Sequence, residues 1–344
     1  MKFRSLEEAV SGRKVLVLGI GGGGDVAGAL YLYEKVRRLG GRPLLGSVVW
    51  ERYSIDPYPG PIPLEAMVDI DVIGDTAALV DKDSYALRFG REVKPQVVRA
   101  AELLNEKVLF VDLSKGSEGV RRALEASRDQ LGVELVLGVD VGGDVLALGC
   151  EDSLWSPLAD SVSLTGLRSA KVDSLLAVHG PGADGELPTE LVLSYISDVA
   201  SRGGLVGVYG INEAEAEVLE RATKAIETEA SLMPLLAFRG RQGPVKIREG
   251  SRSVRLSMAL ASTYVLDPEV VYLRSPLAQA VDGTMGISQA RQSLNSRCIY
   301  TELDLEYDLF EMRGATSPRP MTLEDIRREG IGRLIRQGCK PLKC

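Results

Sequence analysis

Two stretches of this chain are nearly identical. LVLGIGGGGDV at 16–26 and LVLGVDVGGDV at 135–145 agree at eight of eleven positions without a gap. Each is a continuous aliphatic run that stops at glycine and leads into Gly-Gly-Asp. An apolar run without alternation reads as a strand covered on both faces, as in a parallel sheet. Glycine permits positive φ and lets other groups come close to the backbone. The chain therefore uses one strand-to-loop device twice. In an open parallel sheet such loops gather beyond the carboxyl ends of the strands, where ligands bind.

The surrounding pattern extends this unit. Strands are predicted at 14–20, 43–49, 108–112, 133–139, 174–178 and 205–209, and helices at 26–39, 97–104, 118–130, 158–164, 189–201 and 213–236. Alternation of this kind predicts an α/β fold with a doubly wound, mostly parallel, Rossmann-like sheet. Two regions depart from the rhythm. Residues 51–90, with YSIDPYPGPIP and two short paired segments, read as an inserted excursion, a hairpin or lid. After 240 the chain passes through a polar turn, GRQGPVKIREG, to strand candidates at 265–273 and 298–303 and a basic helix near 323–337. Residues 240–344 thus form a C-terminal extension or subdomain of what otherwise reads as one domain over 1–344, since no linker-like composition divides it.

Composition narrows the function. Hydrophobic residues at 45% and charged residues at 26% are ordinary globular usage. A net charge of -7, five Phe and two Trp argue against a nucleic-acid surface. The opening apolar run is too short to span a membrane and lacks the cleavage pattern of a signal peptide, so a cytoplasmic setting without membrane contact is expected. On that basis Cys150, Cys298, Cys339 and Cys344 are expected to be reduced thiols. Only three Asn and seven Gln occur, as is common in heat-adapted proteins.

The loops supply the candidate site. Gly21, Gly22, Gly23 and Gly24 in the first loop and Gly142 and Gly143 in the second can offer backbone N–H groups to an anion. Asp25 and Asp144, the matched acids, suit a divalent cation, a ligand hydroxyl or a helix cap. A weaker variant, LLAVHGPGADGEL at 175–187, adds Asp184 and Glu186 and holds the single histidine, His179, where its strand ends. Asp25, Asp140, Asp144, His179 and Asp184 can meet although they lie up to 159 positions apart. Asp25, Asp144, His179 and Asp184 are the catalytic candidates, and Asp25, Asp144 and Asp184 the metal candidates. Arg274, in the late segment RSPLAQAVDGT, is a candidate to complete an anion site.

Familiar motifs are absent or imperfect. There is no GxxxxGK[ST], GxSxG or HExxH. Gly19, Gly21 and Gly24 satisfy GxGxxG after a strand, and Glu51 follows the second strand where a ribose-binding acid belongs. Asp25 sits awkwardly against a pyrophosphate, which makes NAD(P) the lesser cofactor expectation. Oxygen ligands favour Mg²⁺ or Mn²⁺ over zinc.

With GIGGGGDVAGAL near the start, GVDVGGDVLALG in the middle and VHGPGADGEL after it, the chain resembles an archaeal and bacterial family known only as a domain of unknown function, DUF1152. The resemblance implies an α/β fold in a cytoplasmic, archaeal setting and carries no catalytic residues over. The leading expectation is an enzyme, a hydrolase or transferase, acting on a small phosphorylated or nucleotide-like metabolite with Mg²⁺. The alternatives are a non-catalytic nucleotide or metabolite sensor and an NAD(P)-dependent oxidoreductase. A small anionic metabolite is the expected partner, and homo-oligomerisation is left open.

Overall fold

The computed structural model describes residues 2–314 and 321–342. Its centre is a ten-stranded mixed sheet. In chain order the strands are β1 (Lys14–Gly19), β2 (Arg42–Val48), β3 (Met67–Val72), β4 (Ala77–Arg88), β5 (Arg91–Val93), β6 (Val108–Val111), β7 (Leu135–Val141), β8 (Asp173–His179), β9 (Leu205–Gly210), β10 (Gly243–Ile247), β11 (Arg252–Leu256) and β12 (Ser262–Leu266). Across the main sheet they run β3-β4-β6-β2-β1-β7-β8-β12-β9, with β5 paired to β4, while β10 and β11 form a separate hairpin. The five strands β6, β2, β1, β7 and β8 are mutually parallel. β4 and β12 join them antiparallel on the two sides.

Strand periodicity and helical periodicity meet in two cores. Val15, Val17, Leu135 and Leu137 face one way and pack with Ala27, Leu30 and Val97 from the helices Asp25–Arg38 and Gln96–Leu104. Leu16, Leu18, Val136 and Leu176 face the other way and pack with Val120, Leu158 and Val192 from the helices Gly116–Leu131, Pro157–Ser169 and Thr189–Ser201. Successive side chains of a strand point to opposite faces, so an unbroken apolar run feeds both layers at once.

Local chemistry shifts several boundaries from their expected places. The stretch at 265–273 is strand only at its start: Pro268 opens a helix to Arg274, and the Asp267 side chain caps it by accepting from the Glu269 N–H. No strand forms at 298–303, because Thr301 and Asp304 build the start of the helix Glu302–Gly314 through reciprocal side-chain bonds. The stretch at 213–236 divides into helices Glu213–Ala225 and Leu232–Phe238. Within 51–90, β3 and β4 make an antiparallel pair that extends the main sheet beyond β6.

The thiol expectation is corrected. Cys298 and Cys339 form a disulfide with a Cα–Cα distance of 5.2 Å, and Cys150 is also disulfide-bonded. Cys344 lies outside the described residues. The Cys298–Cys339 bridge ties the segment before helix Glu302–Gly314 to the end of helix Leu323–Arg336, closing a sequence separation of 41. A loop of that size corresponds to about 4 kcal/mol of stabilisation in the chain-entropy account. Replacing both Cys298 and Cys339 with Ala should lower the unfolding free energy by up to about that amount. Denaturation of the variant measures it, and an unchanged midpoint would contradict the assignment.

Candidate functional site

Because β1 and β7 are adjacent and parallel, with Gly19 paired to Val139, the two matched loops lie side by side. The third loop docks on the second: Gly142 N–H donates to His179 O (3.0 Å) and Gly182 N–H to Gly142 O (2.6 Å). Helix Pro157–Ser169 brings Asp160 beneath the first loop, and helix Glu302–Gly314 brings Glu302 and Glu306 to the same place. Together they enclose a cavity of about 170 Å³ lined by Gly21–Gly24, Asp25, Glu51, Asp144, Asp160, Asp184, Glu186, Glu302 and Glu306.

The acids fall into two tight groups. Carboxylate oxygens of Asp25, Asp140 and Asp160 lie within 4.8 Å of one another, as do those of Asp144, Asp184 and Glu186. Some oxygens are well served. Asp25 accepts from Gly21 N–H (2.8 Å), Glu302 from Ala159 N–H (2.8 Å), and Glu306 from Gly60 N–H (2.8 Å) and the Trp50 indole (3.0 Å). Glu186 accepts from Ser156 N–H (3.0 Å) and pairs with Arg252 at 2.9 Å. Others have nothing. Among the described residues, one oxygen each of Asp140, Asp160 and Glu51, and both of Asp184, are buried without a hydrogen-bond partner. These residues are between 1% and 6% exposed. Buried polar atoms are ordinarily paired, and a buried unpaired charge is expensive.

The electrostatic consequence is large. Burial, followed by the neighbouring acids, drives Asp25, Asp144 and Asp160 well above the ordinary carboxyl range. Burial raises Asp140 to about 7, Asp184 to about 8 and Glu302 to about 8. Glu51 and Glu306 rise to about 7 for the same reason. So many carboxyls in one small space cannot all ionise together unless cations join them.

Several expectations are corrected. The N–H groups of Gly21 and Gly142 go to Asp25 and His179, and that of Gly23 to Trp50 O (2.9 Å). Those three amides are committed within the protein, so they do not cradle an anion. The glycines instead make room. A Cβ on Gly21 would stand 2.7 Å from Asp25 Oδ2 and 2.9 Å from Asp160 Oδ1, and one on Gly142 would stand 2.5 Å from Asp184 Oδ1. Gly22 and Gly24 also line the cavity.

Arg274 is elsewhere. It pairs with Asp198 (3.0 Å), donates to Leu146 O and lies over the Tyr195 ring, locking helix Pro268–Arg274 to its neighbours. His179 is fully buried, with Nδ1 bonded to Thr263 Oγ1 (2.8 Å) and its ring against Tyr31. Burial lowers its pKa to about 3, which keeps it neutral and unsuited to shuttle protons near pH 7. Glu51 lines the cavity beside Gly23, yet one oxygen accepts from Gln96 N–H (2.9 Å). A dinucleotide pyrophosphate at this loop would meet Asp25, Asp160 and Glu51.

Sequence reasoning missed Asp160, Glu302, Glu306, Arg52, Arg248 and Arg252 as site residues. Asp160, Glu302 and Glu306 sit on helices with no glycine beside them. Arg248 and Arg252 lie in or next to a stretch that reads simply as a polar turn.

The site defines an α/β protein with a carboxylate-floored cleft where the loops after its parallel strands converge. The chain belongs to the family described as protein of unknown function (DUF1152), whose model matches residues 16–310. That span includes every floor residue from Asp25 to Glu306. No curated protein and no solved structure matches the chain. Among the described residues no helix is long and apolar enough to cross a membrane.

The raised carboxyls have a measurable consequence. Each has a folded-state pKa above its ordinary value near 4, so it favours the fold fully below that pH, and the contribution is lost as pH rises through about 7 to 8. The thermal midpoint of metal-free protein should fall between about pH 4 and pH 8, and saturating Mn²⁺ near pH 8 should restore it. A midpoint that neither falls nor responds to Mn²⁺ would contradict this reading.

Proposed function

We propose that this protein is an enzyme that uses divalent cations, Mg²⁺ or Mn²⁺, to act on a small phosphate-bearing metabolite. One observation carries the reading: the cavity floor holds two carboxylate triads with deeply buried, unpartnered oxygens. All-oxygen donor sets suit hard cations, and two adjacent groups suit a pair of them. Asp25, Asp140 and Asp160 would hold one cation; Asp144, Asp184 and Glu186 would hold the other.

The strand order supports the same placement. In chain order the parallel strands β6, β2, β1, β7 and β8 are third, second, first, fourth and fifth, the arrangement of a doubly wound, Rossmann-like sheet. Its switch point lies between β1 and β7, where the matched loops stand. Cations there would polarise a phosphoryl oxygen and lower the pKa of a bound water. The chain's own groups have separate tasks. The acids fix the cations, Ser156 and the N–H groups at the start of helix Pro157–Ser169 orient Glu186 and Glu302, and Arg52 and Arg248 at the rim attract an anion that the bare floor would repel.

Turnover should therefore require Mg²⁺ or Mn²⁺ and be abolished by chelation. Asp160→Asn and Asp184→Asn should each lower kcat by at least about a hundredfold while the fold is retained, since removing a metal ligand removes transition-state stabilisation. A panel of organic phosphates, assayed for phosphate release or transfer, tests this. Turnover retained after replacing both Asp25 and Asp144 with Ala would sink the assignment, and stabilisation by a ligand with no product at any concentration would favour a sensor instead.

A further inference from the structure

Above the carboxylate floor lies a second, wider chamber of about 580 Å³. Arg52, Ser156, Glu186, Arg248, Glu302 and Glu306 line both spaces, so the two are continuous. The outer chamber has two kinds of wall. Arg52, Arg248 and Arg252 supply one, with Glu229 and Glu249 beside them and the floor acids Glu186, Glu302 and Glu306 below, and Trp155, Tyr53, Leu305, Leu309 and Leu323 the other.

Arg252 is held by Glu186 at 2.9 Å, whereas Arg52 and Arg248 are poorly compensated. The side chains of Arg52, Arg248 and Arg252 are 29%, 31% and 16% exposed. Arg52 and Arg248 share Glu229 at 3.7 and 3.9 Å, contacts too long for good hydrogen bonds. Among the described residues the Arg248 Nε is buried without a hydrogen-bond partner. Burial first, then the other two guanidiniums, depress Arg248 to about 10. The backbone is unusual here as well. Arg248 and Glu249, in the turn joining β10 to β11, both adopt positive φ, 52° and 55°. Non-glycine residues in this region are strained and cluster where function needs a side chain aimed.

Room decides how a ligand divides. The inner cavity, about 170 Å³, is less than a third the size of the outer chamber, about 580 Å³, so cations and a phosphoryl group suit the first and an organic body the second. Anything larger must extend past Arg52 and Arg248 into the outer chamber. Guanidinium forks match phosphate oxygens, and the wall of Leu305, Leu309 and Leu323, with the Trp155 indole on which Arg252 and Arg327 lie, suits a planar or hydrocarbon body.

We infer that the substrate is an organic diphosphate, with one phosphoryl group over the carboxylate floor, the next among Arg52, Arg248 and Arg252, and the organic body against Trp155 and the leucines. This rests on the metal-dependent reading above and narrows its substrate class.

The test is calorimetric and starts with Mn²⁺ alone on the full chain. With Mn²⁺ saturating, orthophosphate, pyrophosphate, AMP, ADP and geranyl diphosphate are then titrated. ADP or geranyl diphosphate should bind at least about tenfold more tightly than AMP, orthophosphate or pyrophosphate, and the Arg52→Ala/Arg248→Ala double variant should lose that preference. The variant's Mn²⁺ affinity should stay within about twofold of wild type, which also reports that it folds. Equal binding of mono- and diphosphates, tightest binding by pyrophosphate, or a preference that survives in the variant would overturn the inference and leave the metal reading standing. No Mn²⁺ binding by the wild type would overturn both.

Discussion

Like charge held out of water governs this structure. Eight carboxyls, those of Asp25, Glu51, Asp144, Asp160, Asp184, Glu186, Glu302 and Glu306, border one small cavity, and Asp140 lies directly behind it. Burying a carboxylate without a partner is among the costliest things a fold can do, and clustering several multiplies the cost through mutual repulsion. A protein can hold such a cluster by protonating part of it or by bringing cations to it. The raised pKa values describe the first state, and the two triads fit the second.

The rest of the chain is arranged around that constraint. The parallel strands deliver three loops to one edge, and glycines at 21, 23 and 142 let carboxylates approach backbone where any Cβ would collide. Two helices then close the space, one placing Asp160 and the other Glu302 and Glu306. Helix Leu323–Arg336 covers the outer chamber from above: Leu323 lines it, and Arg327 donates to Leu154 O (2.6 Å) and lies over the Trp155 ring. The Cys298–Cys339 bridge anchors the far end of that helix.

Much of this arrangement is legible in the amino-acid sequence. The α/β class and the central strands follow from continuous apolar runs bounded by glycine, and the repeated loop marks the carboxyl edge where Asp25, Asp144 and Asp184 meet. What the sequence hides has physical causes. A glycine that admits a side chain looks the same as one that admits a ligand, so the loops read as an anion cradle. Asp160 and Glu302 reach the cavity through tertiary packing of helices, which leaves no local signature. Arg274 and His179 carry the right chemistry in the wrong surroundings, the first neutralised by Asp198 and the second sealed in the core. Pro268 following Asp267 is a readable helix start, masked by the aliphatic residues around it.

The proposed cation site on the acidic floor is tested most directly by crystals grown near pH 8 and soaked in Mn²⁺, with diffraction data collected at the manganese absorption edge. Anomalous peaks are expected within coordination distance, about 2.0–2.3 Å, of the oxygens of Asp25, Asp140 and Asp160 and of Asp144, Asp184 and Glu186. A well-ordered floor with no anomalous peak at either triad would contradict it.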